Sequence, residues 1–276
     1  MTGREVTTEE NKWILLTLLN ELDAFCRRSG ITYFLASGTL IGAVRHRGFI
    51  PWDDDVDVCM TRTEYERFLS LYAPSSGRFR LCHAGADKAY AFPYAKLTDT
   101  GTVLIEHVAK PYPLGVYLDI FPMDNLPGPY KKACACVRRI KRLLKIKEIK
   151  DMRLTRERGA AKNLVILLAK TAVCPIGRGA LARRIGRAAS KDKDRDTPYI
   201  GGLVNNCYGE REIFRREAFD EAVEMPFEGK TYPVPKMYDH ILNTMYGDYM
   251  TPPPEEKRVS HHGYDCRYSG LANEGE

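Results

Sequence analysis

Between Thr7 and Gly30 the apolar side chains Ile14, Leu15, Leu18, Leu22 and Phe25 fall at the three-and-four spacing that draws one greasy stripe along a helix. Thr7-Thr8-Glu9-Glu10 supplies a capping box at its start, and Gly30 supplies a stop. Ile31 to Ala36 is β-branched and aromatic and predicts a short buried strand, after which Ser37-Gly38-Thr39 turns the chain into a second helix reaching about Arg45. The period then changes to two: Val56 and Val58 alternate with Asp55 and Asp57, which predicts another strand, and Arg62 to Leu71 suits a further helix. Additional strands are predicted near Arg78 to Cys82, Ala91 to Leu97, Val103 to Glu106 and Gly115 to Phe121.

From Pro129 the pattern becomes long, basic and helical as far as Gly186, with KKACACVRRIKRLLKIKEIK and NLVILLAKTAV as its clearest stretches. A hairpin is predicted in MPFEGKTYPVP, then a helix from about Lys236 to Met245 and a tail carrying Pro252 to Pro254 and His261-His262. The fold class this implies is α+β, a mixed sheet flanked by helices. Residues 1–128 are expected to form its core unit, 129–195 a basic helical insertion or subdomain, and 196–276 a C-terminal part that completes the first unit.

Composition changes this picture little. The hydrophobic fraction of 44% allows a sizeable core in 276 residues, and the net charge of +6 is a small surplus of 42 basic over 36 acidic side chains. Such a balance favours anionic partners only weakly and does not choose among nucleotides, lipid and nucleic acid. The eight cysteines are scattered without repeated CxxC spacing, so reduced thiols are expected, and Cys134 and Cys136 would point in different directions on a helix. The start, MTGREVTTEENKW, has acids and no apolar run, which argues against a secretory signal. The greasiest stretch, Leu164 to Ile176, is interrupted by Lys170 and falls short of the roughly 20 residues of a spanning helix. A cytoplasmic protein is expected, with peripheral contact at the inner face of a membrane as a further option.

The densest chemistry lies in SGTLIGAVRHRGFIPWDDDVDV. Two carboxylates two apart on a strand project from the same face, and like charges so held are unfavourable unless a cation joins them. Hard oxygen ligands suit magnesium or manganese, with substrate phosphate completing the shell, so Asp55 and Asp57 are read as metal ligands. The alternative is a solvated acidic turn. Against it stands the Gly-Thr turn upstream, where Gly38 permits close approach, Thr39 adds a hydroxyl and free backbone N–H groups suit a phosphate. Arg45, His46 and Arg47 add positive charge, or equally form an ordinary basic helix end.

GTLIGAVRHRGFIPWDDDVDVCMTR resembles the signature of LicD-type phosphotransferases, which are similar to fukutin and fukutin-related protein and share the nucleotidyltransferase fold. The likeness continues in GVYLDIFPMD and in YGDYMTPPPEEKRVSHH, with a gap over the basic helices. It implies a nucleotidyltransferase-like fold in which Gly38 and Thr39 seat a diphosphate and Asp55 and Asp57 grip its metal. Asp119, in the apolar strand YLDIF, matches the pattern's third acid as a metal ligand or as the group that takes the acceptor's proton, or else caps or orients a neighbouring loop; Asp124 has weaker claims and is read as the start of a turn over Asn125 to Gly128. Lys96 falls where the family carries a basic residue and is expected at donor phosphate, or as a plain surface lysine.

Trp52 is a candidate to stack a cytosine or to face a quaternary ammonium, or else a packing anchor. Tyr90, Tyr94 and Tyr117 are candidates to complete an aromatic cage, although strand aromatics are usually core. His261, and with it His262, matches the family's closing motif as a possible return to the site, or is exposed. The basic cluster Lys131 to Lys150 is an amphipathic pattern, read either as packed on its own domain or as resting on anionic lipid or a charged glycan.

The resemblance implies magnesium-dependent transfer of phosphocholine, or a related alcohol phosphate, from CDP-choline or another CDP-alcohol. The acceptor is a hydroxyl of a cell-surface glycan, such as lipopolysaccharide or teichoic acid, or its lipid-linked precursor, and CMP is released. Two other classes compete. An Asp-x-Asp glycosyltransferase would share the metal logic but normally needs a Rossmann-like domain ahead of the motif. A non-catalytic binder of anionic polymer would use the basic helices, yet no nucleic-acid module is visible and nucleic acid is not expected as a partner.

Overall fold

The computed structural model describes residues 3–106, 110–155, 159–173, 175–259 and 264–270. Helix α1 (Thr8–Ser29) opens on the capping box, with Thr7 accepting from the Glu10 amide and Glu10 returning to the Thr7 amide, and it ends at Gly30 in the left-handed conformation. Its stripe of Ile14, Leu15, Leu18 and Leu22 is fully buried. Strand β1 is shorter than predicted (Phe34–Leu35), because the chain turns directly into α2 (Ser37–His46). Then come β2 (Asp57–Thr61) and α3 (Arg62–Leu71). The next three strands are β3 (Phe79–Cys82), β4 (Ala95–Asp99) and β5 (Thr102–Glu106), followed by the long β6 (Tyr117–Leu126).

Three helices come after the sheet's central strand: α4 (Tyr130–Asp151), α5 (Ala160–Val173) and α6 (Arg178–Ala189). The chain then returns through β7 (Tyr199–Gly202) and β8 (Ile213–Arg215). The predicted hairpin is β9 (Ala222–Phe227) with β10 (Lys230–Pro235); helix α7 (Tyr238–Tyr246) and strand β11 (Tyr264–Tyr268) complete the order. The hairpin turn places Glu228 and Gly229 at φ 48° and 77°, the left-handed pair that two-residue hairpins require. There the Glu228 carboxylate accepts from the Phe49 amide at 3.0 Å, which docks the hairpin on the loop after α2.

The main sheet runs β1-β2-β6-β4-β3, with β7 and β8 continuing from β6, while β5 pairs with β11 apart from it. The β2–β6 pair is parallel and sets Asp57 beside Asp119; the other pairings of this sheet are antiparallel. On one edge β6 has two successive partners, β4 over residues 117–120 and β7 over residues 123–126. The mixed sheet and the seven α-helices among the described residues make an α+β fold.

Period-two alternation divides the central strands. Val56, Val58, Met60, Leu118 and Ile120 join the α1 stripe in the largest core cluster, whereas Cys59, Phe121 and Met123 face a second cluster with Phe214 and Phe219. The apolar side of α4, Ala133, Cys134, Val137 and Ile140, is packed against Leu181 and Ile185 of α6 and Leu126 of β6. That side of the basic helix is thus used within the chain. The seven described cysteines are free thiols.

Asp124 does not open the turn that follows β6. It sits inside the strand, and Arg62 at the start of α3 donates to both its oxygens at 2.7 and 3.0 Å, with both side chains nearly inaccessible. Asp124→Ala, which strands the guanidinium, is expected to cost about 3–5 kcal/mol in urea unfolding. A loss under 1 kcal/mol, on the order of an exposed pair, would contradict this assignment.

Candidate active site

Three adjacent strands carry one charged row. The registers set Asp57 of β2 beside Asp119 of β6, and Asp119 beside Lys96 of β4. Paired positions in neighbouring strands project to the same face, so the three side chains meet above the sheet. Lys96 donates to Asp119 at 2.5 Å with its own side chain 1% exposed. Rings of Tyr117, Phe92 and Tyr94 surround its ammonium, at 3.4, 4.7 and 5.2 Å to their centroids. The aromatic cage expected around Tyr94 and Tyr117 therefore exists, but its cation is the protein's own lysine. Tyr90 is fully buried among Phe92 and Tyr112.

Strand β2 begins at Asp57, so Asp55 precedes it by two residues. The extended path nevertheless continues backwards, since the Val56 carbonyl accepts from the Asp119 amide at 3.0 Å. Helix α2 is tied to the same point: the Ala36 amide donates to the Asp57 carbonyl at 3.0 Å, and the Asp57 amide donates to Thr39 Oγ1 at 2.9 Å. Thr39 is buried and holds Asp57 in place through that bond. Ser37, at φ 50°, opens the helix and its hydroxyl bonds the Asp57 carboxylate. A Cβ on Gly38 would lie 2.6 Å from Asp53 Oδ2, so glycine here lets the Asp53 carboxylate rest against the start of α2.

Burial pushes the Asp57 carboxyl well above the usual carboxylate range, and Asp55, Asp119 and Asp53 push it further, against the pull of the Ser37 hydroxyl. Four carboxylates therefore converge on the start of β2. Oxygens of Asp53, Asp54 and Asp55 lie within 4.8 Å of one another. An all-oxygen donor set of this kind fits a hard divalent cation such as magnesium or manganese. Spacing and the family resemblance single out Asp55, Asp57 and Asp119 but not Asp53 and Asp54, which the fold adds from the same acidic run. Ser37 is not singled out either; its positive φ is invisible in sequence.

The remaining candidates are placed differently. Arg45 lies about 12 Å along α2 from Ser37 at 1.5 Å per residue, donating to the Tyr249 carbonyl at 2.6 Å and to His46 Nε2 at 2.9 Å. Trp52, half-buried beside the acidic run, has Arg258 over its ring at 5.4 Å. Burial and the nearby Arg258 both lower the Arg45 guanidinium, so these two cations and Trp52 form a neighbourhood of their own. His261 and His262 lie outside the described residues.

Residues 30–151, which contain the whole charged row, match the family model described as LicD/FKTN/FKRP, nucleotidyltransferase domain. Over 94% of its length the chain is 30% identical to the lipopolysaccharide cholinephosphotransferase LicD of Haemophilus influenzae, covering 97% of that protein. The chain belongs to the LicD family of phosphotransferases. A shorter likeness, 41% identity over 42% of the chain and 36% of the relative, links this LicD protein to an uncharacterized protein of Rickettsia typhi. A second, 46% identity over 16% of each chain, is to an uncharacterized protein of Rickettsia prowazekii.

The crowded carboxylates make a stability prediction for metal-free protein. A carboxyl raised in the folded state contributes its full stability below the ordinary carboxylate pKa and loses it as pH rises through the raised value. Asp57→Asn should therefore raise the melting temperature at neutral pH in the presence of chelator and leave it unchanged near pH 3. Calorimetry across that range checks it; an Asn variant that is less stable at pH 7 would show that the acids do not repel.

Proposed function

We propose that this LicD protein transfers phosphocholine, or a closely related alcohol phosphate, from a CDP-linked donor to a hydroxyl of a cell-surface glycan or its lipid-linked precursor. The observation that carries the reading is the near full-length likeness to a cholinephosphotransferase, joined to an acid row at the sheet position where that family's nucleotidyltransferase domain matches. In the reaction the acceptor oxygen forms a new bond to the phosphorus of the phosphocholine group. The bond from that phosphorus to the CMP oxygen breaks, CMP leaves with the electron pair, and the acceptor's proton passes to a base.

Asp53 and Asp55, whose oxygens lie close together, and Asp57, whose carboxyl both of them raise, would hold magnesium, or manganese, with Asp119 beside Asp57 as a further ligand or as the base. When bound, the cation supplies neutralisation of the charge that develops on the diphosphate. Asp119, oriented by the buried Lys96, is the base nearest the row and is assigned the acceptor's proton. The α2 turn at Ser37 and Gly38 offers backbone N–H groups to donor phosphate.

The acceptor side points to a membrane surface. Met152, Leu154, Leu164, Val165, Leu167 and Leu168 are exposed on α5 and on the segment before it, which is held to α5 by Lys170 donating to the Met152 carbonyl and Asn163 to the Thr155 carbonyl. From Met152 to Lys191 the sequence contains Glu157 as its one acid among many arginines and lysines. An exposed apolar patch in a stretch of sequence so rich in cations suits the surface of an anionic bilayer. No single helix among the described residues is long and apolar enough to cross one.

Purified protein given CDP-choline and magnesium should release CMP, and chelator should stop it. Asp55→Ala should lower the rate at least about 100-fold, the scale of losing one charge-stabilising group; full activity in that variant overturns the metal assignment. Tighter calorimetric binding of UDP- or GDP-sugars than of CDP-choline would instead favour a glycosyltransferase. For the surface, the protein should co-sediment with vesicles containing phosphatidylglycerol more than with phosphatidylcholine alone. Leu164→Glu with Leu168→Glu should abolish this; concentration-dependent dimerisation lost in the same variant, without vesicle binding, would assign the patch to a second copy.

A further inference from the structure

The face of the sheet that carries Asp57 and Asp119 continues along the same strands into a cavity. Two residues on from Asp57 is Cys59, and two residues on from Asp119 are Phe121 and then Met123, and all three line that cavity. Two residues of strand advance about 6.6 Å. The cavity, about 70 Å³, begins at Ser37, whose hydroxyl bonds Asp57, and its walls are overwhelmingly apolar, with Phe214, Phe219 and Met245 opposite β2 and β6. It is thus adjacent to the acid row on the same surface, and Ser37 belongs to both.

Within this apolar lining stands one carboxylate. Glu212 is 6% exposed, and its Oε1 accepts from the Tyr208 amide at 2.7 Å. The other oxygen, Oε2, lies 2.9 Å from where a Cβ on Gly202 would be, so glycine at that lining position leaves it space. Among the described residues no lysine or arginine forms an ion pair with it. A nearly buried carboxylate beside apolar walls is costly to ionise, and a cation beside it would relieve that cost beyond what backbone N–H groups supply. Burial pushes its carboxyl up to about 7, against two backbone N–H groups and the more distant Lys141.

We propose that this cavity receives the trimethylammonium end of the transferred group, with Glu212 as its counter-charge and the apolar walls against its methyl groups. The assignment rests on the reading that phosphocholine is what the enzyme transfers. A quaternary ammonium cannot donate hydrogen bonds, so its recognition needs what is found here: a carboxylate, apolar and aromatic contact, and exclusion of water. The spacing is suitable too, since the phosphorus and nitrogen of phosphocholine are separated by a two-carbon linker, comparable with one two-residue step of strand. The cage of Tyr94 and Tyr117 is not available for this purpose because Lys96 fills it.

The test is equilibrium binding by calorimetry of CDP-choline, of CDP-3,3-dimethylbutanol, in which carbon replaces the charged nitrogen, and of CMP. Wild-type protein should bind CDP-choline at least about tenfold more tightly than the neutral isostere. Glu212→Gln should erase that preference and leave CMP binding unchanged. Met245→Trp, which fills the cavity and leaves Glu212 in the sequence, should weaken both CDP-alcohols and spare CMP. The preference should also fade as pH falls below about 7, where Glu212 takes up a proton, with Lys141, Cys207, Tyr208, Tyr246 and Asp57 as the titratable neighbours. An undiminished preference in Glu212→Gln overturns the subsite alone, whereas failure of wild-type protein to bind CDP-choline at all overturns the reading beneath it.

Discussion

The parallel pairing of β2 with β6 is the constraint on which the site depends. It brings Asp57 and Asp119 side by side at a depth where like charges are poorly screened. Each acid is then managed separately. Asp119 has the ammonium of Lys96 from the next strand, and Asp57 has the Ser37 hydroxyl and a backbone fixed by Thr39. Around them the oxygens of Asp53, Asp54 and Asp55 gather before β2, a donor set whose chemistry fits a hard divalent cation.

Much of this was legible in the sequence wherever a local pattern carried it. The capping box and apolar stripe of α1, the Ser-Gly-Thr entry to α2, the alternation around Val56 and Val58 and the hairpin around Glu228-Gly229 all specify local geometry through backbone preference and side-chain period. The acid row was legible in part. Asp55 and Asp57 announce themselves by spacing, and Asp119 by being a charge in an apolar strand; that Lys96 meets Asp119 depends on register between β4 and β6, which no short window contains.

The less legible features are those made by distant chain segments. Strands β7 and β8 are short and lie beyond the helices, so their pairing with the second half of β6 has little local signature. Glu212 looks like one of two surface acids in GEREIF; only its position behind Gly202 makes it an interior carboxylate. Asp124 was misread for the opposite reason. The turn-like Asn125-Leu126-Pro127-Gly128 that follows drew attention away from Arg62, which precedes it by many residues and neutralises it.

The change of partner along one edge of β6 has a consequence for how specificity can vary. Where β4 leaves and β7 arrives, at Phe121 and Pro122, the sheet forks, and the recess opens beside that fork. Its outline is drawn by hydrogen-bonded main chain, while its chemistry is supplied by a handful of side chains projecting from separate segments. If the recess takes the head group as proposed, exchanging those side chains would retune which one is accepted while the strands beneath stay as they are.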